Sequence, residues 1–508
     1  MACLAVSASV TTPAVAEQVM DEYTLFAAPT APPEGVELVP EWEPVQAMAV
    51  ALPLKGVFAR QGMGGFMIDL ICNAAAYTDV VVLHDEEELQ TVARVIAAVC
   101  TRDEGLLKRL HFVPARVGTI WLRDHGPVFA RDARGGLVLI DSVYRDARYE
   151  ARVLAERDAE GADGSVYRGL AMDLAKRRKD DTSPVYLAQF LRQQDAKREV
   201  SISRPPAQVW GGDVTTDGRG NLFVSSESLT MHGGKQAELE AVLRDYYGAK
   251  TITYLEPLPG PTVKHLDMFF KVVDENTFMI ASYDAPFQGA GEYARYLNGE
   301  IGRVLERNEA VLKARFPDRR FVHVPLPAVA FPTREQMIRE YRDHWYTQKL
   351  LAETPSLREH LAKAIDPNER AAVEQRITER AVKQYRIAFD AEPGSEAERK
   401  LVDQLIRENS TTTLDEAIQN YAPRKVVYKT FLNSVQINGE HGQAVLVPAY
   451  SPDERMSAEA VAQMRQEVQA AYESALPGVD VVWVNCDTVI QQSGALHCVT
   501  VTVPRPIE

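Results

Sequence analysis

The chain has 508 residues, 46% hydrophobic and 25% charged, enough for a large core and more than one folding unit. A formal net charge of −15 argues against nucleic acid or an anionic membrane as principal partner and suits a cationic ligand. Five widely spaced cysteines without a C-x-x-C exclude a disulfide framework and a zinc site, and no zincin, nucleophile-elbow or P-loop motif occurs.

Residues 1–39 read as an N-terminal extension. "MACLAVSASVTTPAVAEQ" lacks the basic start of an export signal, although "AVA" before Glu17 has the form of a cleavage site. A cytoplasmic protein is expected, with export as the alternative. No apolar run approaches ~20 residues, so no membrane span is expected.

From about 40 to 332, short apolar runs alternate with helical patterns. The runs 47–53, 79–84, 110–115, 136–143, 222–228, 251–256, 277–283 and 320–327 read as strands. Amphipathic stretches at 86–100, 235–247 and 294–316 read as helices between them, and the rhythm is that of an α/β fold. A polar, charge-rich helical stretch covers about 150–200. Residues 333–424 hold one glycine, Gly394, and helical periodicity dominates there, with Asp366 and Pro367 opening one helix. The β texture returns at 425, so 333–424 reads as a helical insertion between two parts, 40–332 and 425–508, of one α/β domain. No short internal repeat is legible in the residues.

Four stretches place polar residues where a strand should end. In "TIWLRDHGPVF" an apolar strand arrives at Trp121 and stops in turn chemistry that exposes Asp124. In "WGGDVTTDGRGNLFVS" the Gly211-Gly212 pair permits close backbone approach before Asp213, and "TDGRGN" reads as a hairpin turn. In "KHLDMFF" an extended backbone sends His265 and Asp267 to one face and Leu266 and Met268 to the other, a pairing suited to proton transfer beside a cation. In "SGALHCVTVTVP" a cysteine sits between a turn and the last strand. On a strand His497 and Cys498 point to opposite sides, which leaves His265 as the better base for a Cys498 nucleophile.

Together with "EWEPVQAMAVALP" and "FLNSVQING" followed by "VLVPAY", these motifs stand in the order seen in the agmatine deiminase and bacterial-type peptidylarginine deiminase family, which the chain resembles over 40–332 and 425–508. The resemblance implies a five-bladed pseudo-symmetric α/β-propeller, the pentein fold, with no metal or organic cofactor. It implies that Asp124 and Asp267 grip a guanidinium, that Cys498 attacks its carbon, and that His265 serves as acid and then base. Asn433 matches a site asparagine of the family, and Trp121, Gly212 and Asp213 fall in its substrate-binding motifs. Trp210 stands where the agmatine branch has an acidic residue, which disfavours agmatine unless Asp213 compensates. Arg145 and Arg148 stand where the peptidylarginine branch binds a substrate carboxylate.

The expected activity is hydrolytic deimination of a free or peptidyl arginine, giving a citrulline-like product and ammonia. The expected partners are a small cationic guanidino compound or an arginine-containing peptide, and a homo-oligomer is compatible with the sequence. Agmatine deimination to N-carbamoylputrescine and amidinotransfer are the alternatives. A papain-like protease is excluded by the order of Cys and His, and a non-catalytic binding role is disfavoured by the full residue set.

Overall fold

The computed structural model describes residues 29–53, 62–85, 101–144, 177–260, 263–283, 292–327, 427–453 and 456–507, with parts of 95–99 and 342–400. The apolar runs expected to be strands are strands, with trimmed ends, and they assemble into five small sheets. One sheet contains Phe270–Val272, Thr277–Ser282 and Arg320–Pro325. Its first two strands pair antiparallel across a tight turn, and the third joins in parallel after the helix Glu292–Arg315. A crossover of that length is what a parallel neighbour requires.

The same unit recurs. Val214–Thr216 and Asn221–Ser225 form a hairpin, and Thr251–Leu255 follows in parallel after the helix Gln236–Tyr247. Gly218 and Gly220 take positive φ (75° and 86°) in the turn between the two hairpin strands, as "TDGRGN" predicts. Val128–Arg131, Leu137–Ile140 and Val200–Ser203 repeat the pattern around the helix Ser183–Gln194. Glu37–Leu38, counted with the N-terminal extension from sequence, pairs onto the edge of that sheet. Val435–Gly439, Gly442–Ala449 and Asp480–Asn485 repeat it around Ala458–Ala475, whose Ser457 caps the Ala460 N–H at 3.2 Å.

The remaining sheet joins the two ends of the chain. The C-terminal strand Thr500–Pro504 pairs antiparallel with Val45–Leu52, which runs parallel to Asp79–His84 and then Leu110–Pro114. Val45–Leu52 is buried on both faces. Met48, Val50 and Leu52 enter the largest apolar core, while Ala47, Ala49 and Ala51 face a second core with Leu122, Val501 and Val503. That division explains the near-continuous apolar sequence of the strand.

Among the described residues of the 333–424 stretch, Pro355–Lys363 is helical. Tyr346, Leu350, Leu351, Val373, Ile377 and Ala381 bury one another in a cluster separate from the main cores. No described helix is long and apolar enough to cross a membrane. Of the expected helix at 86–100, residues 95 and 97–99 are described and helical; its other residues, and 150–176 of the charged stretch, lie outside the described residues.

Candidate active site

Each recurring unit is entered by a short turn just before its first strand, and the polar motifs fall in those turns. Leu122–His125 is a one-turn helix ahead of Val128, Gly211–Asp213 a 3₁₀ turn ahead of Val214, and Leu266–Met268 another ahead of Phe270. Asn433 lies in the bend before Val435, and His497–Val499 is a 3₁₀ turn running into Thr500. Two sequence expectations are corrected here. Trp121 does not end a strand: the strand stops at Pro114, and Trp121 caps the helical turn bearing Asp124. His497 and Cys498 are not strand residues on opposite faces, because the 3₁₀ turn replaces alternation and buries both side chains. His265 is extended as expected, but the backbone turns at Leu266, so His265 and Asp267 meet different neighbours.

Cys498 is 2% exposed. Asn433 Nδ2 donates to its Sγ at 3.1 Å, while Asn433 Oδ1 accepts the backbone N–H of His497 at 3.0 Å and of Cys498 at 3.3 Å. One amide therefore fixes both the turn and the sulfur. The thiol itself points at Asp267 Oδ2, 3.8 Å away. Burial, with the charges of Asp267 and Asp124 adding to it, pushes the thiol well above its ordinary pKa. Behind the turn, Trp121 lies against Gly494. A methyl on Gly494 would stand 3.0 Å from Trp121 Cη2 and 3.1 Å from Cys498 Cβ, so glycine is what lets the indole close over the turn that carries Cys498.

His265 is buried among carboxylates: its Nδ1 is 3.5 Å from Asp124 Oδ1 and its Nε2 is 3.9 Å from Asp213 Oδ1. Burial opposes its charge, but Asp124, Asp213 and Asp267 together raise its pKa above the ordinary imidazole value. Its ring is bounded by the edge of Trp210, centroids 5.7 Å apart, and by the backbone of Gly212. The close approach that the Gly-Gly pair permits is made by this ring and, at Gly211, by the Arg123 carbonyl.

The carboxylates differ. Asp267 is bonded through Oδ2 to His497 Nδ1 at 2.7 Å; burial opposes its charge, but His497, then His265 and Arg123, hold it below the usual range. Burial pushes Asp124 up to about 6 and Asp213 up to about 7; His265 opposes both, and neighbouring carboxylates add to both. Asp124 Oδ1, Asp267 Oδ1 and both oxygens of Asp213 are buried without a hydrogen-bond partner among the described residues. Buried acceptors of this kind are costly unless something cationic meets them. A planar cation that offers N–H groups to two carboxylates at once meets that need.

A layer of charge that the sequence reading left unassigned lies on the far side of Asp267. Glu41 contacts Arg123 Nη1 at 2.6 Å, His497 Nε2 at 2.8 Å and Lys271 Nζ at 3.5 Å. Burial works against the Glu41 charge, yet Arg123, His497 and Lys271 hold its pKa well below the ordinary value. Glu41 and Arg123 stood inside quoted motifs, but nothing in their spacing says that they meet. Arg145 and Arg148 lie outside the described residues.

Solved structures share this architecture. An agmatine deiminase of C. jejuni superposes with a TM-score of 0.55 at 14% identity, covering 93% of this chain and 98% of that one. A C. jejuni agmatine deiminase with one cysteine changed to serine and substrate bound scores 0.54 at 13% identity, covering 93% and 97%. An agmatine deiminase of Enterococcus faecalis scores 0.54 at 13%, also covering 93% and 97%. The fold is thus the mixed α/β pentein fold of those enzymes. No curated protein matches the chain. The class is that of hydrolases acting on the C–N bonds of guanidino groups. The family model of the Porphyromonas-type peptidyl-arginine deiminases matches residues 37–504, and the chain belongs to that family.

Proposed function

We propose that this deiminase works through Cys498 as nucleophile, with the five sheets arranged as blades about the site and 333–424 inserted between two of them. The carrying observation is a buried thiol held by Asn433 within reach of Asp267, beside carboxylate oxygens that lack a partner among the described residues. A guanidinium bound by Asp124 and Asp267 brings positive charge to the sulfur and favours release of the thiol proton to solvent. The thiolate attacks the guanidinium carbon and forms a C–S bond. The His265 imidazolium protonates the departing nitrogen, the C–N bond breaks, and ammonia leaves. Neutral His265 then takes a proton from water as oxygen adds to the thiouronium carbon. The C–S bond breaks, giving a ureido product and restoring Cys498.

Asp213 is wholly buried beside His265 and serves that imidazole. With Asp213 so placed and Trp210 at the position that is acidic in the agmatine branch, the favoured substrate is an arginine that keeps its carboxylate, free or at a peptide C-terminus. Arg145 and Arg148 are assigned to that carboxylate. The test is colorimetric detection of ureido product with agmatine, free arginine, and peptides with internal or C-terminal arginine. Product must be lost in Cys498→Ala. No product from any of these compounds refutes the substrate assignment, and product that persists in Cys498→Ala refutes the nucleophile.

A further inference from the structure

The roles above leave one buried ionic group without a task. His497 is next to Cys498 in the chain and lies between two carboxylates, with Nδ1 2.7 Å from Asp267 Oδ2 and Nε2 2.8 Å from both oxygens of Glu41. An ionised carboxylate only accepts, so a ring that satisfies both neighbours donates from both nitrogens and carries a charge. Its backbone is pinned as well: its N–H donates to Asn433, and its carbonyl accepts from Arg123 Nε at 3.4 Å. The charged and titratable groups that face it are Asp267 and Glu41, with Arg123 and Lys271 beyond Glu41 and the Cys498 thiol beside Asp267. Lys271 is itself tied to the Ser434 carbonyl at 3.0 Å.

This arrangement treats the two oxygens of Asp267 differently. Oδ2 is taken by His497, which leaves Oδ1 buried without a partner among the described residues. We propose that His497 is a positioning residue for deimination: clamped as an imidazolium between Glu41 and Asp267, it keeps Asp267 charged and turns the second oxygen to the substrate's guanidinium. The inference rests on the reading of Asp267 as a guanidinium ligand. It fits the contrast among the carboxylates, since Asp124 and Asp213 lack such a clamp and are pushed up to about 6 and about 7, whereas Asp267 is held low. The clamp also ties the charge of Asp267 to the turn that carries Cys498, so the nucleophile and its cation ligand move as one body.

A purely structural clip would hold the turn without affecting the choice of cations. The test therefore compares 2-chloroacetamidine, a cationic amidine, with chloroacetamide, its neutral isostere. Full-length wild type, His497→Gln and Glu41→Gln are alkylated from about pH 5 to about pH 9, and Cys498 is followed by mass spectrometry. Either reagent forms one C–S bond and expels chloride. Wild type is expected to prefer the amidine, the preference weakening on the acid side as Asp124 takes up a proton at about pH 6. His497→Gln is expected to lose about tenfold of that preference near pH 6 and to regain it as pH rises, its acid limb moving up by about one unit or more. Glu41→Gln keeps shape and an acceptor and moves the same way by less, so it carries the comparison if His497→Gln does not fold. The same preference and pH profile in folded variants as in wild type would overturn the inference, whatever happens to Tm. Failure of both reagents to label Cys498 in wild type would instead overturn the nucleophile reading, which keeps the two failures apart.

Discussion

Changing Gly212 to alanine tests the geometry of His265, the proposed acid–base group, with one methyl. The added Cβ would stand 2.8 Å from His265 Cγ and 3.2 Å from its Cβ, and closer still to Nδ1, against ordinary contacts of 3.4–4 Å. The neighbour cannot yield by flexing a long side chain, because the ring is confined by Trp210 on one side and by Asp124 and Asp213 on others. Relief requires the imidazole to move by roughly 1 Å, and a misplacement of that size costs on the order of 10²-fold in rate. Overpacking adds about 1–3 kcal/mol of destabilisation. The assay is steady-state ureido formation with thermal unfolding on the same preparations, and Gly65→Ala is the control. Gly65 lies in the helix Met63–Ala75, and a methyl added there would meet nothing within 4 Å, so that change should leave turnover intact and raise stability by up to about 1 kcal/mol. A folded Gly212→Ala enzyme with kcat within about threefold of wild type would refute the placement of His265 against this backbone.

Asn433→Ala removes the donor to Cys498 and the acceptor for two buried N–H groups, so we expect about 2–4 kcal/mol of lost stability and a fall in kcat larger than any rise in KM, read by denaturant unfolding and kinetics. Asp213 carries a native pKa raised to about 7; the folded state therefore binds more protons than the unfolded chain between about pH 4 and 7, and this group's contribution to stability declines as pH rises through that window. Asp213→Asn should accordingly raise Tm at pH 8 relative to wild type by more than at pH 4 while impairing turnover; an equal effect at both pH values would contradict it. Because its pKa is raised well above the ordinary thiol value, Cys498 in substrate-free enzyme should react with neutral alkylating agents more slowly at pH 7 than a free thiol, as intact mass would show.

The strands were legible because apolar runs bounded by turn residues leave few other options, and Asp124, His265, Asp267 and Cys498 drew notice as chemistry-bearing residues in turns between those runs, whereas Asn433 entered only through the family resemblance. The recurrence of one unit in four of the sheets was not legible in the residues. It lies in topology, a hairpin followed by a helix and a parallel strand, and unrelated side chains build it equally well. His497 was misjudged because strand alternation was extended to it, whereas a 3₁₀ turn holds 497–499 and Thr500 begins the strand. Glu41 and His497 stand at opposite ends of the chain, and no local pattern announces a contact across that separation. Burial likewise escapes the sequence: Asp124 and Asp213 are ordinary loop aspartates on paper, and only enclosure lifts them towards neutral pH.

The pairing of Thr500–Pro504 with Val45–Leu52 has a consequence for when the enzyme comes into being. Four of the five turns that furnish site residues can form around their own sheets while the chain is still growing. The turn bearing His497 and Cys498 cannot, because the strand that anchors it is the last to be made and its partner is among the first. Contacts of such long sequence separation form late and slowly. The carboxylates and the imidazole can thus take their places before the sulfur arrives, and a chain cut short by a dozen residues would lack both Cys498 and His497, the hydrogen-bond partner of Asp267 Oδ2.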